Sequence, residues 1–262
     1  MLLRRLRAKG DQIAVLVVLF AIWAALSWRL GVYWVSSPWA AGARFVDGVL
    51  DGTLIQHGFY TLAEAVVGFI LGAAPATLLP FLIRRRPMLV AIIDPFMVGG
   101  YGAPKLALAP LFILWFGIGM ESKIVLVAVT VFFIVYFSTL AGVAALNPKL
   151  VRMAQVMGAN ERAVLRHIVF PGAVPYIFTG FRVALPYSIG AAVIAELLSA
   201  NRGLGFLIQR SAMGYDTTGI FVALVATVCI VFVCNRCLGA AEAYLLRWRP
   251  PADTSLPVSA AT

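Results

Sequence analysis

An all-α polytopic membrane protein with about six spans is the fold class this sequence predicts. Three observations predict it. Hydrophobic residues make up 62% of the 262 residues and charged residues only 12%, far from the composition of a soluble domain. Long apolar stretches recur, each near or beyond the roughly 20 residues that cross a bilayer. The basic residues gather at one set of span ends, the asymmetry that orients a protein in a membrane.

Taken in order, the first span is expected over 12–31, preceded by Arg4, Arg5, Arg7 and Lys9. A basic then apolar start resembles a signal peptide. This run is long, ends in Trp28-Arg29 and lacks a small-residue cleavage site, so it reads as an uncleaved helix. Residues 36–57 form a mixed outer segment with room for a short interfacial helix. The second span, 59–83, closes on Arg84-Arg85-Arg86 and carries Gly68-x-x-x-Gly72, a spacing that lets helices approach closely, within the subunit or across a dimer. The third, 88–117, holds Pro95, Pro104 and Pro110 and is expected to be broken or kinked. Irregular backbone at membrane depth survives only when covered by protein or lining a cavity, which marks this span as a path-lining element. The fourth span is expected over 123–146 and the fifth over 172–198, followed by a turn shaped by Gly203 and Gly205. The sixth, 218–246, ends in Arg247 and Arg249. Residues 1–249 read as one transmembrane domain. The tail 250–262, rich in Pro, Ser, Thr and Ala, reads as disordered.

The net charge of +10 suggests a nucleic-acid partner, but its distribution argues against one. With an even number of spans and both termini inside, the N-terminal cluster, Arg84 to Arg86, the basic residues of 147–171, and Arg247 and Arg249 all face the cytoplasm. The chain has no phosphate-binding G-x-x-x-x-G-K-[ST] loop and so is not expected to hydrolyse ATP itself. No zinc-protease or serine-hydrolase motif is present. The two histidines, His57 and His167, offer no catalytic constellation. Cys229, Cys234 and Cys237 fall in the last span and read as small apolar helix residues rather than metal ligands.

The most informative stretch is the polar, basic elbow 147–171, NPKLVRMAQVMGANERAVLRHIVFP. Leu150, Met153, Ala154 and Met157, then Val164, Leu165 and Ile168, recur at helical spacing. This predicts two short amphipathic helices broken near Gly158. Such a surface suits a protein partner, an amphipathic helix laid in a groove being a common recognition mode. The plainer alternative is a helix resting on anionic lipid.

Ionisable residues inside spans are costly and therefore functional candidates. Lys105 and Arg182 are expected near mid-depth, where they could favour an anion on a translocation pathway. Glu196 is expected toward the outer end of the fifth span, pairing with Arg202 or gating the mouth. Glu64 is expected about one turn into the second span, on the pathway or facing a partner subunit. The structural alternative pairs Lys105 and Arg182 with Asp94, Glu196, Glu64 or a backbone carbonyl.

From about Leu62 onward the chain resembles the inner-membrane permease subunits of bacterial ABC importers, in the subgroup for nitrate, taurine, alkanesulfonates and thiamine precursors. That family carries a cytoplasmic E-A-A, three residues, G, then I-x-L-P signature. Here Ala154 matches the second alanine, Gly158-Ala159 the central glycine segment and Ile168-Val169-Phe170-Pro171 the close. Arg152 stands in place of the glutamate, Met153 in place of the first alanine and Phe170 in place of leucine. Segments 104–119, 175–182, Ala195-Glu196 and 203–208 are also similar to the subgroup. The resemblance implies a type I importer permease fold with cytoplasmic coupling helices, a multi-pass inner-membrane location, and docking of ATP-binding subunits on Arg152, Met153, Ala154, Met157, Gly158, Ala159, Ile168 and Pro171. It implies a second permease subunit forming a homodimer, a periplasmic solute-binding protein, and ATP with magnesium held by the partner subunit rather than by this chain. The cargo it suggests is a small solute, with sulfonate, taurine or nitrate as candidates. The alternative is a stand-alone secondary transporter driven by an ion gradient, which would carry paired broken helices.

Overall fold

The computed structural model describes residues 2–248, and side chains for all of these except 2–10 and 12. The tail 250–262 and Arg249 lie outside the described residues, as do the side chains of the N-terminal basic cluster. Every regular element among the described residues is helical.

Helix α1, Leu2–Leu30, holds the first span, and its apolar stretch Ile13–Leu30 is left almost bare by the rest of the chain. The expected interfacial helix is α2, Pro38–Leu50. Ser37 caps it, its hydroxyl accepting from the Ala40 N–H at 3.1 Å, and Pro38 opens the first turn where a missing N–H costs nothing. Gly52, at φ +80°, reverses the chain into α3, Thr53–Ile83. This helix starts six residues before the expected 59, because the polar Thr53, Gln56 and His57 are helical although outside the apolar run.

The third span breaks once. Helix α4, Pro87–Gly102, contains Pro95 without breaking; Pro110 sits in the first turn of α5, Ala109–Phe116. The break falls at Ala103–Pro104, where the residue before proline is held extended (ψ 141°) and the chain turns through 84°. A single 3₁₀ turn, Lys105–Leu108, joins the halves.

Helix α6, Met120–Ala144, is the centre of the bundle. It packs between α3 and the long helix that follows the elbow. The interface is built from small residues. A Cβ on Gly68 would lie 2.6 Å from Val127, and one on Gly72 would lie 2.3 Å from the Ala128 carbonyl. Thus the Gly68-x-x-x-Gly72 pair works within the subunit, as membrane helices without a hydrophobic drive between them require. Around it Ala65, Ala73, Ala76, Val127, Val131 and Ala184 form the main core.

Helix α7, Pro148–Val156, is the first elbow helix. The second differs from expectation. Helix α8, Glu161–Val164, passes through a π turn at Leu165–Val169 directly into α9, Phe170–Leu198. The whole run Glu161–Leu198 is a single 38-residue span. Proline at 171 cannot donate to the His167 carbonyl. The wider π turn, with the Phe170 N–H reaching the Leu165 carbonyl, absorbs that loss instead of ending the helix. Gly203, at φ +106°, then turns the chain into α10, Leu204–Met213, which packs on α9 and on α11, Thr217–Leu245. Among the described residues five helices are long and apolar enough to span a membrane, and the bent pair makes a sixth.

Candidate functional site

At one end of the bundle stands the elbow. Asn147 caps α7 through the Lys149 N–H (2.9 Å), and Asn160 caps α8 through the Ala163 N–H (2.9 Å). Between them Gly158 adopts φ +85°, with the Ala159 N–H closing on the Ala154 carbonyl at 2.9 Å. Arg152, Met153, Met157 and Gly158 are exposed, and a Cβ on Gly158 would meet nothing within 4 Å. Ala154, Ala159, Ile168 and Pro171 are half-buried. Among the elbow's apolar side chains the most exposed is Val156 at 89%, with Met157 at 80%. Two bare apolar residues beside Arg152 form a narrow hydrophobic crest with a basic flank.

The elbow is pinned by a group that sequence reasoning missed. Glu161, the only acid in 147–171, bridges Arg84 and Arg85 beyond the end of α3, the latter at 2.9 Å. Burial disfavours the Arg84 charge and the neighbouring Arg85 adds repulsion; Glu161 supplies the counter-charge. The arginine run had been accounted for by orientation alone. A lone acid in a basic elbow was the available signal.

The second feature is a cavity of about 530 Å³ at the bend of the third span. Pro104, Lys105 and Leu106 line it from the bend, Thr130 from α6, and Tyr187 and Gly190 from α9. Lys105 is held there by carbonyls freed at the break: its ammonium donates to the Tyr101 oxygen at 2.6 Å and lies 5.2 Å and 5.4 Å from the rings of Tyr101 and Phe133. Of the alternatives read from sequence, the backbone carbonyl is the one Lys105 uses. Arg182 does not line this cavity. It pairs with Glu242 near the end of α11, a partner the sequence reading did not include.

The third feature lies at the opposite end. Glu196 is fully buried and ties three elements together. It accepts from the Thr61 hydroxyl (2.8 Å) and the Gly205 N–H (2.7 Å), while Thr61 accepts from the Leu204 N–H (2.8 Å). His57 Nδ1 accepts from the Gly203 N–H at 3.0 Å. A Cβ on Gly205 would sit 2.3 Å from the Val193 carbonyl, so only glycine lets α10 close this far. Arg202 does not pair with Glu196; it binds the Tyr60 hydroxyl and lies over that ring. Glu64 does not face outward. It is 3% exposed, three turns inside α3 and beside Glu196, with one carboxyl oxygen lacking any hydrogen-bond partner. The structure therefore brings Glu64 and Glu196 together but leaves Lys105 and Arg182 apart. Among the described residues no cluster of His, Cys, Asp or Glu could hold a metal ion.

Residues 64–249, containing all three features apart from His57, Tyr60 and Thr61, match the family described as the binding-protein-dependent transport system inner membrane component. The chain belongs to that family. It is a permease subunit of an ABC importer. Among curated relatives it is 34% identical to the taurine transport system permease protein TauC of Escherichia coli, over 77% of this chain and 74% of that one. It is 32% identical to the riboflavin transport system permease protein RibX of Chloroflexus aurantiacus, over 84% and 85% of the two chains. The formylaminopyrimidine transport permease protein ThiX of Halalkalibacterium halodurans shares 28% over 89% and 93%. Among solved structures, an inward-facing form of the MetNI methionine ABC transporter superposes with a TM-score of 0.65 at 19% identity, covering 77% of this permease and 98% of that chain. An amino acid ABC transporter crystallised with histidines gives 0.60 at 15% identity, covering 78% and 98%. These likenesses carry the fold.

Proposed function

We propose that this permease pairs with a second copy of itself to form a pathway for a small organic solute across the bacterial inner membrane. Cytoplasmic ATP-binding subunits, holding ATP and magnesium, seat on the elbow. A periplasmic solute-binding protein delivers cargo at the α10 end. Both termini then lie in the cytoplasm, with Arg84 to Arg86 and the elbow. The observation that carries the reading is the elbow itself: an exposed apolar crest, Met153, Val156 and Met157, clamped to the bundle by Glu161. Exposed apolar side chains on a rigid polar stalk fit a partner's groove better than a loose lipid contact. ATP-driven closure of the partner subunits would move the crest, and through it α9. The ion-driven alternative expects broken helices in pairs, whereas the described residues contain one bent pair.

Co-purification from the native membrane in mild detergent, with mass spectrometry of bound proteins, tests the reading. An ATPase subunit is expected with the wild type. Gly158→Asp sets a carboxylate on the open surface beside the crest and is expected to lose that subunit while the permease still folds. Recovery of the chain alone, or full ATPase recovery with Gly158→Asp, would overturn the docking assignment.

A further inference from the structure

The start of α10 is held by other helices. An α-helix leaves the backbone N–H groups of its first turn without partners of their own. Here three successive ones each donate to a side chain from outside α10. The Gly203 N–H reaches His57 Nδ1 at 3.0 Å, the Leu204 N–H reaches the Thr61 hydroxyl at 2.8 Å, and the Gly205 N–H reaches the Glu196 carboxyl at 2.7 Å. His57 and Thr61 lie one turn apart on α3, and Glu196 lies on α9. Thr61 and Glu196 are fully buried. His57 is half-buried, and its ring stacks on Phe206 of α10 with centroids 5.7 Å apart. Of the three acceptors it is the one that solvent can reach.

We propose that His57 is a proton-operated latch on α10: neutral, it closes the Gly203 turn onto α3; protonated, it releases that turn while Thr61 and Glu196 still hold the residues that follow. An imidazole nitrogen accepts a hydrogen bond only while it carries no proton. In the neutral ring the proton sits on Nε2, and Nδ1 takes the Gly203 N–H. In the imidazolium both nitrogens donate, so Nδ1 meets that N–H donor to donor. Histidine is also the side chain whose ordinary titration falls in the range a membrane's surroundings visit. Arg202 in the turn and Arg210 of α10 are the charges that bear on the ring directly. Glu196 of α9 is committed to Thr61 and Gly205, Glu64 lies two turns deeper in α3, and the Lys123 ammonium of α6 donates to the Ile118 and Gly119 carbonyls at 2.7 Å and 2.8 Å. Asp47 and Asp51 at the end of α2 line a separate cavity with Arg44, and Asp216, before α11, pairs with that arginine. None of the ion pairs among the described residues uses His57, so no partner acid fixes its charge. The latch lies at the end of the bundle opposite the elbow. Only the side from which the proton arrives, the outer compartment, rests on the importer reading.

The test uses the full-length permease, with the subunits that co-purify, in lipid nanodiscs, where both faces meet the same buffer. Amide hydrogen–deuterium exchange of the segment 203–207 is followed at about pH 7.5 and about pH 5.5, on either side of ordinary histidine titration. Labelling times are adjusted for the intrinsic pH dependence of exchange. In the wild type the protection of this segment is expected to fall about fivefold or more at the lower pH, while segments in the middle of α6 stay unchanged. His57→Asn sets a carbonyl oxygen close to the place of Nδ1, an acceptor that does not titrate. It is expected to keep the segment protected at both values. His57→Phe keeps a ring against Phe206 but has no acceptor, and is expected to exchange fast at both. Wild-type protection that does not change with pH overturns the latch. So does a pH response that survives in His57→Asn, which would assign the proton to a carboxyl group instead. The His57→Asn result stands by itself if His57→Phe does not fold. Either failure leaves the importer reading intact, because that reading is decided by recovery of the ATPase subunit and not by exchange at α10.

Discussion

Single residues set how closely the helices can approach. Gly72 is the clearest case, since the Ala128 carbonyl occupies the space a side chain would need. Gly72→Leu therefore forces α3 and α6 apart, and overpacking of this kind costs about 1–3 kcal/mol or more. Thermal unfolding in detergent should show a clearly lowered midpoint; an unchanged midpoint would mean the two helices can slide to accommodate the side chain. At the opposite end, Glu196 accepts two hydrogen bonds in a fully buried position. Glu196→Ala strands the Gly205 N–H and the Thr61 hydroxyl, at about 1–3 kcal/mol for each buried group left unsatisfied. Its neighbour behaves differently. Glu64 has an unpartnered oxygen next to a second carboxyl, so Glu64→Gln keeps the shape and supplies an amide donor there. The same melting assay should place Glu64→Gln at or above wild type and Glu196→Ala well below it.

In the proposed importer the elements would carry the coupling. Glu161 fixes the start of the α8–α9 run to the end of α3 through two arginines. Glu161→Ala leaves the crest of Met153, Val156 and Met157 untouched but frees it from the bundle and leaves Arg84 partly buried beside Arg85 without its counter-charge. The expectation is a normal amount of bound ATPase subunit with a severalfold lower yield of transported solute per ATP in reconstituted vesicles. An unchanged transport-to-hydrolysis ratio would show that the clamp is not part of the drive. Much at this scale was legible in the sequence: six spans, the bend at Pro104, and an elbow turned by Gly158. The second elbow helix was not, because Pro171 is a strong stop signal and nothing local announces the π turn that carries the chain past it. The early start of α3 was hidden for a similar reason, since Thr53 to His57 belong to the helix by geometry and not by apolarity.

For the whole molecule, the exposed surface is itself informative. Helix α1 is almost unburied along its apolar length, and Phe96, Leu114 and Trp115 of the bent span are largely bare. More apolar surface is offered than one chain can cover, as expected for a subunit that meets both lipid and a second copy. Native mass measurement of the complex in mild detergent should find two permease chains with the ATPase; a single chain would remove the homodimer. Contacts between distant segments were the least legible part of the site. Arg182 meets Glu242 sixty residues later, and Glu196 meets Thr61 135 residues earlier. No sequence period links such positions, because packing of separate helices decides them. Local geometry set by near neighbours, such as the turn at Gly158 and the break beside Pro104, could be read directly.

The unbroken run from Glu161 to Leu198 makes a lever. At 1.5 Å per residue it is about 57 Å long, so a tilt of about 5° at the elbow displaces the far tip by about 5 Å. The far tip holds Glu196, and with it the bonds to Gly205 and Thr61. Pro175 and Pro186 lie inside the run and each removes a backbone hydrogen bond, yet Glu161–Leu198 continues as one span through them and through the π turn at Leu165–Val169. A stroke delivered on one side of the membrane would therefore arrive mechanically at the α10 latch on the other, and the helix alone would serve as crank and connecting rod.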